Sequence, residues 1–175
     1  MNENLEELPM KKHTVLFIDD DEMILNAIKR ALRNENYHIL TATSGDRGLM
    51  LLKDHPVGLV ICDYQMPGKS GLEVLKDVKR TYPRILTIML TGQAEVNIAA
   101  QAINDCGVYK FILKPWEDAD LKITIQRALE SLDLIQERDH LLRKAQDRDM
   151  VLQNLEKKHP GISNVKRDED GYIIG

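Results

Sequence analysis

The residues of this chain that could do chemistry come directly after short apolar runs. They are three consecutive acids, Asp19, Asp20 and Asp21, then a single acid, Asp63, a hydroxyl at Thr91 and an ammonium group at Lys114. Crowded carboxylates repel each other unless a hard divalent cation joins them, and ligand sets made only of oxygen suit Mg²⁺. A hydroxyl and an ammonium group would then hold the oxygens of a phosphoryl group, and a carboxylate can be its nucleophilic acceptor. The pattern therefore indicates a magnesium-assisted phosphoryl-transfer site.

Each of these residues also has an ordinary structural explanation. An acidic run after a strand is often a solvated helix start, Thr91 can be a helix N-cap, and Lys114 can be a surface lysine. The case for chemistry therefore depends on the whole set, in which an acidic pair, a lone acid, a hydroxyl and a lysine each follow a different apolar run.

The elements that must position these groups are predicted from the alternation of apolar runs with amphipathic helical segments. The apolar runs are Val15–Ile18, Tyr37–Ala42, Gly58–Cys62, Ile85–Leu90 and Val108–Leu113. Since they are apolar along their length, we predict five parallel strands covered by helices on both faces, a three-layer α/β sandwich. A helix should begin near Ile24 and others after Thr43, Ser70 and Thr91, and Ser70-Gly-Leu-Glu73 has the form of a capping box. Loops at the carboxyl ends of parallel strands converge on one crevice, which would gather the polar groups.

Four segments are predicted along the chain: an N-terminal extension (1–12), the α/β domain (13–130), a projecting helix (131–159) and a tail (160–175). No Pro or Gly interrupts the charged helical stretch from Asp118 to about Lys158, which is longer than the sheet needs. Its leucine spacing favours either a coiled coil with a second copy or an amphipathic helix lying on a neighbouring domain. His159-Pro160-Gly161 should stop the helix, and the tail could form a hairpin.

Composition and charge narrow the classes of partner. The net charge of −4 disfavours direct binding to nucleic acid or to an anionic membrane. The sequence contains no signal-peptide pattern and no apolar run of transmembrane length. Cys62 and Cys106 lack the spacing of a metal site or disulfide framework and are expected in the core, so a reduced cytoplasm is the expected location.

Four motifs of the chain resemble the receiver domains of bacterial two-component response regulators. They are Val15-Leu-Phe-Ile-Asp-Asp20, Leu59-Val-Ile-Cys-Asp63-Tyr-Gln-Met-Pro67 with Gly71, Leu90-Thr-Gly92, and Phe111-Ile-Leu-Lys-Pro115. The resemblance covers roughly Thr14 to Arg127, and the combination of motifs is very specific. It implies a five-stranded sheet in the order 2-1-3-4-5.

The resemblance also implies a role for each matching residue. Asp63 would be the phosphoacceptor, and Asp20, Asp63 and the Gln65 carbonyl would bind Mg²⁺ directly, with Asp19 binding it through water. Thr91 and Lys114 would bind phosphoryl oxygens.

The same resemblance implies how the protein would signal. Phe111 would be the switch aromatic, the Lys114–Pro115 peptide would be cis, and the signal would reach the surface of the fourth helix, fifth strand and fifth helix. The donor would be a sensor histidine kinase or a histidine phosphotransfer protein, and the receiver would act on an output domain or partner protein without being an enzyme itself.

Three other interpretations remain open from the sequence. Phe17-Ile-Asp19-Asp-Asp21 also matches the first motif of haloacid-dehalogenase-type phosphatases, in which Asp19 would be the nucleophile, but the late acidic pair of that family is absent. His140 could be a kinase phosphorylation site, although no nucleotide-binding glycine motif follows it. A dimerising scaffold without an output domain is the third.

Overall fold

The computed structural model describes residues 13–95, 97 and 107–160. The extension 1–12, the tail from 161 onward, most of the predicted fourth helix and Cys106 lie outside the described residues. The described strands are β1 (His13–Ile18), β2 (Tyr37–Ala42), β3 (Leu59–Asp63), β4 (Leu86–Thr91) and β5 (Lys110–Leu113). The helices are α1 (Glu22–Ala31), α2 (Gly45–Asp54), α3 (Gly71–Thr81) and a long C-terminal helix (Asp118–Lys158), with a short 3₁₀ turn at Gln93–Glu95.

The five strands form one parallel sheet in the order β2-β1-β3-β4-β5, which confirms the predicted fold and strand order. All residues of β3 and β4 are buried, because helices cover both faces of a parallel sheet. The order reverses direction between β1 and β3. At such a point the loops on either side lead away from each other and leave a crevice at the carboxyl ends of the strands.

The helix starts are fixed by short polar side chains. The Ser70 hydroxyl accepts a hydrogen bond from the Glu73 backbone, while the Glu73 side chain accepts from the Ser70 backbone, so the predicted capping box is confirmed. Asp21 caps α1 by accepting from the Met23 backbone N–H at 2.8 Å. Asp21 therefore has a structural function that sets it apart from its two acidic neighbours.

Two of the strands extend one residue further than the apolar runs predict. Asp63 pairs with Leu90 in register, and Thr91 pairs with Leu113. The polar side chains of Asp63 and Thr91 are therefore held by the rigid backbone of the sheet and not by the loops that follow.

The C-terminal helix begins as part of the core. Its buried residues are Leu121, Thr124, Ile125, Ala128, Leu129 and Leu132. The chain divides between Leu132 and Asp133 into two compact units. In the second unit most side chains of the helix are exposed, including several leucines. Every helix of the described part is too short or too polar to cross a membrane.

Candidate functional site

The crevice at the carboxyl ends of the strands collects the polar groups that the sequence singled out. Asp19 and Asp20 follow β1, Asp63 ends β3, Thr91 ends β4 and Lys114 follows β5. These four strands are consecutive neighbours in the sheet, so their ends lie side by side. The topology therefore brings together residues that are up to 95 positions apart in the sequence.

Lys114 joins two of the acids directly. Its Nζ donates a hydrogen bond to Asp19 Oδ2 at 2.9 Å and lies 2.8 Å from Asp63 Oδ1. Asp19 is 1% exposed and Asp63 is 6% exposed, so both contacts are shielded from water on at least one side. Charge-assisted hydrogen bonds at such distances are stronger than neutral ones and fix the side chains that make them.

Asp19, Asp20 and Asp63 form a cluster that suits a metal ion. One carboxylate oxygen from each lies within 4.8 Å of the others. Asp19 is further oriented by the Asp21 backbone N–H, which donates to its Oδ1 at 2.9 Å. Lys114 contacts Asp19 and Asp63 and brings one positive charge to a cluster of three carboxylates, so a hard dication with oxygen ligands fits the remaining negative charge. The chemistry of the acidic pocket is therefore suited to Mg²⁺.

The pKa values reflect the same imbalance of charge. Burial raises the pKa of the Asp63 carboxyl, the Lys114 ammonium group partly opposes this, and Asp19 and Asp20 raise it further. Burial by itself lowers the pKa of Lys114, but its hydrogen bonds to Asp63 and Asp19 outweigh that effect and leave it raised. Lys114 is therefore a permanent cation at neutral pH.

Thr91 and Lys114 are coupled through the backbone. Thr91 is buried, and its Oγ1 donates a weak hydrogen bond to the Gly92 carbonyl oxygen at 3.4 Å. The Lys114 backbone N–H donates to the Thr91 carbonyl oxygen at 2.8 Å. The peptide bond between Lys114 and Pro115 is cis, as the resemblance implied.

Phe111 is partly buried and packs against the hydrophobic core, two residues before Leu113.

Gly71 is required by close backbone packing behind the acceptor. Its N–H donates to the Tyr64 carbonyl oxygen at 2.9 Å. A Cβ atom at position 71 would overlap the carbonyl oxygen of Asp63 and lie 2.7 Å from the Asp63 carbonyl carbon. Since backbone atoms cannot move aside cheaply, only glycine lets α3 begin this close to the end of β3.

A cleft of about 270 Å³ opens beside Asp63. Its lining residues are Asp63, Tyr64, Gln65, Gly92, Gln93, Ala94, Glu95 and Lys114. Gln65 is exposed, and its side-chain Nε2 donates to Glu95 Oε1 at 2.9 Å. Sequence reasoning missed Glu95, because it lies 30 residues from Gln65 and stands in no recognisable motif.

Two other candidate residues take no part in this cleft. Cys62 is a fully buried core thiol, and burial raises its pKa well above the usual range. Its Sγ contacts the Asp63 carbonyl oxygen at 3.4 Å, so it packs behind the acceptor. His140 is exposed on the C-terminal helix. The buried environment of Cys62 gives no support to thiol chemistry.

The fold and the site together define a class of protein, a parallel α/β domain with an acidic, lysine-containing crevice at its switch point. Comparison with known proteins identifies the family. The family described as response regulator receiver domain matches residues 15–126, which is more than half of the chain. The chain therefore belongs to the response regulator receiver domain family, whose members partner with histidine kinases and whose general mechanism is phosphorylation on an aspartate.

The chain is similar to several individual proteins, one of which is described as a receiver domain protein. The hydrogenase transcriptional regulatory protein HoxA of Cupriavidus necator is 36% identical over 124 residues, covering 71% of this chain and 26% of HoxA. A solved response regulator receiver domain protein of Clostridium thermocellum has a TM-score of 0.66 and 31% identity, covering 70% of this chain and 98% of its own. A solved adenylate cyclase of Rhodopirellula baltica has a TM-score of 0.72 and 31% identity, covering 76% and 98%.

The chain spans about a quarter to a third of the length of the curated relatives that it matches. Their names concern whole proteins, whereas the similarity covers only that share of their length. The family assignment therefore extends to phosphoryl acceptance and not to any output activity.

Proposed function

We propose that Asp63 accepts a phosphoryl group from the phosphohistidine of a sensor histidine kinase or a histidine phosphotransfer protein, in the cytoplasm. The observation that carries the proposal is the position of Asp63, which lies at the wall of the cleft and 2.8 Å from the Lys114 ammonium group. A carboxylate in this place is accessible to a donor while it is held in a fixed orientation.

The transfer conserves atoms and electrons in a single displacement. An Asp63 carboxylate oxygen forms a bond to phosphorus while the bond from phosphorus to the donor's imidazole nitrogen breaks, and the electron pair leaves with the imidazole. Lys114 and the Thr91 hydroxyl bind phosphoryl oxygens as their charge develops. Hydrolysis later returns inorganic phosphate and the free carboxylate.

Asp20, Asp63 and the Gln65 backbone carbonyl would hold Mg²⁺ directly, and Asp19 would hold it through water. The cluster of three carboxylates within 4.8 Å supports this assignment. The bound ion would neutralise part of the negative charge on the phosphoryl oxygens. Asp19 is suited to an indirect position because Lys114 and the Asp21 N–H already engage its two oxygens.

The same contacts favour Asp63 over Asp19 as the nucleophile. Both oxygens of Asp19 accept hydrogen bonds, and Asp19 does not line the cleft, whereas Asp63 does. The phosphatase interpretation requires Asp19 to attack, so the geometry argues against it.

Phosphorylation would be read out through Thr91 and Phe111. A Thr91 hydroxyl drawn toward the phosphoryl group would vacate space that the partly buried Phe111 ring can enter, changing the surface of β5 and its neighbouring helices. This surface would signal to an output domain or a partner protein.

The second unit of the chain supports a homodimer. Its helix exposes large apolar side chains, of which Leu141 is 56% and Leu152 is 50% exposed. Burying them against the same helix of another copy would remove apolar surface from water. A dimer would be compatible with a regulator that has an output domain and also with a scaffold that has none.

Light scattering tests the dimer. Leu141→Glu combined with Leu152→Glu should convert a dimer to a monomer, because buried charges oppose helix pairing. Gln136→Glu combined with Gln153→Glu adds the same charge at exposed polar positions and should leave the mass unchanged. A monomeric wild-type protein would contradict the proposal.

Labelling with acetyl phosphate and Mg²⁺ tests the acceptor. The wild-type protein should gain an acid-stable, base-labile phosphate, and Asp63→Asn should abolish it. Asp21→Asn is the matched control, since asparagine can still cap α1, and it should label normally. Labelling that survives in Asp63→Asn but is lost in Asp19→Asn would instead support the phosphatase.

A further inference from the structure

Two loops that line the phosphorylation cleft are joined by a hydrogen bond. The Gln65 side chain, on the loop after β3, donates to Glu95 Oε1 at 2.9 Å, on the 3₁₀ turn after β4. Both residues line the cleft. This contact, which we call the rim clasp, holds a carboxylate among the residues that line the cleft beside Asp63.

The Glu95 side chain also folds back over the backbone that follows Thr91. A Cβ atom built at Gly92 would lie 2.7 Å from Glu95 Oε2, and the Glu95 N–H contacts the Gly92 carbonyl oxygen at 3.2 Å. One carboxylate oxygen therefore meets Gln65 and the other lies against Gly92. The Glu95 carboxylate is therefore held against the residue that follows Thr91, whose hydroxyl is expected to bind phosphoryl oxygens.

The rim clasp positions this charge without neutralising it. Gln65 offers a neutral amide, whereas Lys114, the cation that lines the cleft, is already within 2.9 Å of Asp19 and Asp63. A phosphodonor is itself an anion, so Glu95 opposes its approach. Coulomb repulsion grows with the charge of the donor, and water and salt weaken it at an exposed rim.

We propose that Glu95 is a specificity-determining residue of this site, which selects against highly anionic small-molecule donors. The inference rests on the proposed role of Asp63. Acetyl phosphate carries more negative charge at neutral pH than phosphoramidate. In both reactions an Asp63 oxygen bonds to phosphorus. With acetyl phosphate, the bond between phosphorus and the acetate oxygen breaks, and acetate leaves with the electron pair. With phosphoramidate, whose nitrogen is protonated, the bond between phosphorus and nitrogen breaks, and ammonia leaves with the electron pair.

The test measures the rate of Asp63 phosphorylation by each donor in saturating Mg²⁺. Glu95→Gln removes the charge and keeps an acceptor for Gln65, and it should raise the acetyl phosphate rate relative to the phosphoramidate rate by about threefold at low salt. The change in this ratio should shrink at high salt. An effect exerted through Mg²⁺ binding would alter both donors equally and leave the ratio fixed.

Glu130→Gln is the matched control, because it removes the same negative charge as Glu95→Gln at a different place in the protein. Its neighbour Ser131 contacts Tyr109, just before the start of β5, so Glu130 lies toward the amino end of the sheet, away from the cleft. This variant should keep the wild-type ratio.

A second variant separates charge from geometry. Glu95→Ala removes the charge and the rim clasp together, and it should raise the ratio as much as Glu95→Gln does. An unchanged ratio in Glu95→Gln, or a change confined to Glu95→Ala, would overturn the proposal while leaving Asp63 as acceptor. If neither donor labels the wild-type protein, the proposed function fails, and the role of Glu95 fails with it.

Discussion

The crevice and the second half of the C-terminal helix use polar and apolar residues in opposite ways. In the crevice, several charged and hydroxyl side chains are buried: Asp19 and Thr91 are each 1% exposed. In the helix beyond Leu132, leucines face outward, and Leu134 is 72% exposed. Polar side chains are thus buried in the crevice, and apolar side chains are exposed on the helix beyond Leu132.

This difference shows where each region obtains its stability. The crevice is held by contacts within its own unit, namely sheet pairing, the Lys114 hydrogen bonds and the close approach of Gly71 to Asp63. The apolar side chains of the second unit gain the same kind of stabilisation only when another surface covers them. Substitutions should therefore act by different rules in the two regions.

The largest effect is expected where the backbone itself is in contact. Gly71→Ala would force a methyl group into the Asp63 carbonyl, and we expect a loss of about 3 kcal/mol or more of unfolding free energy. Gly68→Ala is the control, since its site is open but has φ +81°, and it should cost about 1 kcal/mol. Urea denaturation measures both. Equal losses would show that the packing behind the acceptor is not tight.

The next effect compares the two sides of the unit boundary with the same substitution. Leu132→Ala opens a cavity at a residue that is 2% exposed and should cost about 3 kcal/mol. Leu134→Ala, two residues later, should change stability by less than about 0.5 kcal/mol. Thermal unfolding at matched low protein concentration checks this. A large loss at Leu134 would mean that the helix is already covered there.

The smallest effect sharpens the division of labour within the acidic run. Asp20→Asn removes one carboxylate from the proposed metal cluster and should weaken Mg²⁺ binding about tenfold, or about 1.4 kcal/mol. Asp21→Asn loses the same charge but keeps the α1 cap, and it should change affinity by no more than about threefold. Calorimetric titration with Mg²⁺ gives both values. Equal weakening would mean that total charge, and not ligation, controls affinity.

The acidic run also illustrates how far sequence reasoning reached. Asp19, Asp20 and Asp21 are identical side chains in a row, and the sequence identified the run as a place for chemistry. It did not divide their functions, because the α1 backbone decides that Asp21 turns to cap the helix while Asp19 meets Lys114. The resemblance to a known family supplied that division for Asp19 and Asp20 only.

The sequence by itself determined the structural features that depend only on residues close together in the chain. Apolar runs gave the strands to within a few residues, Ser70 and Glu73 gave the capping box, and an uninterrupted helical stretch gave the C-terminal helix from Asp118 to Lys158. These features are local, since propensity, capping and periodicity act over a few positions.

The sequence predicted that several distant polar groups share one crevice, but only the tertiary structure decided which of their atoms meet and which further residues join them. The contact of Lys114 with Asp19 spans 95 residues, and the rim clasp between Gln65 and Glu95 spans 30. Strand order, burial and the path of each loop set such distances. A side chain such as Glu95, whose type and neighbours are ordinary, therefore acquires a place in the site only when the folded sheet brings it there.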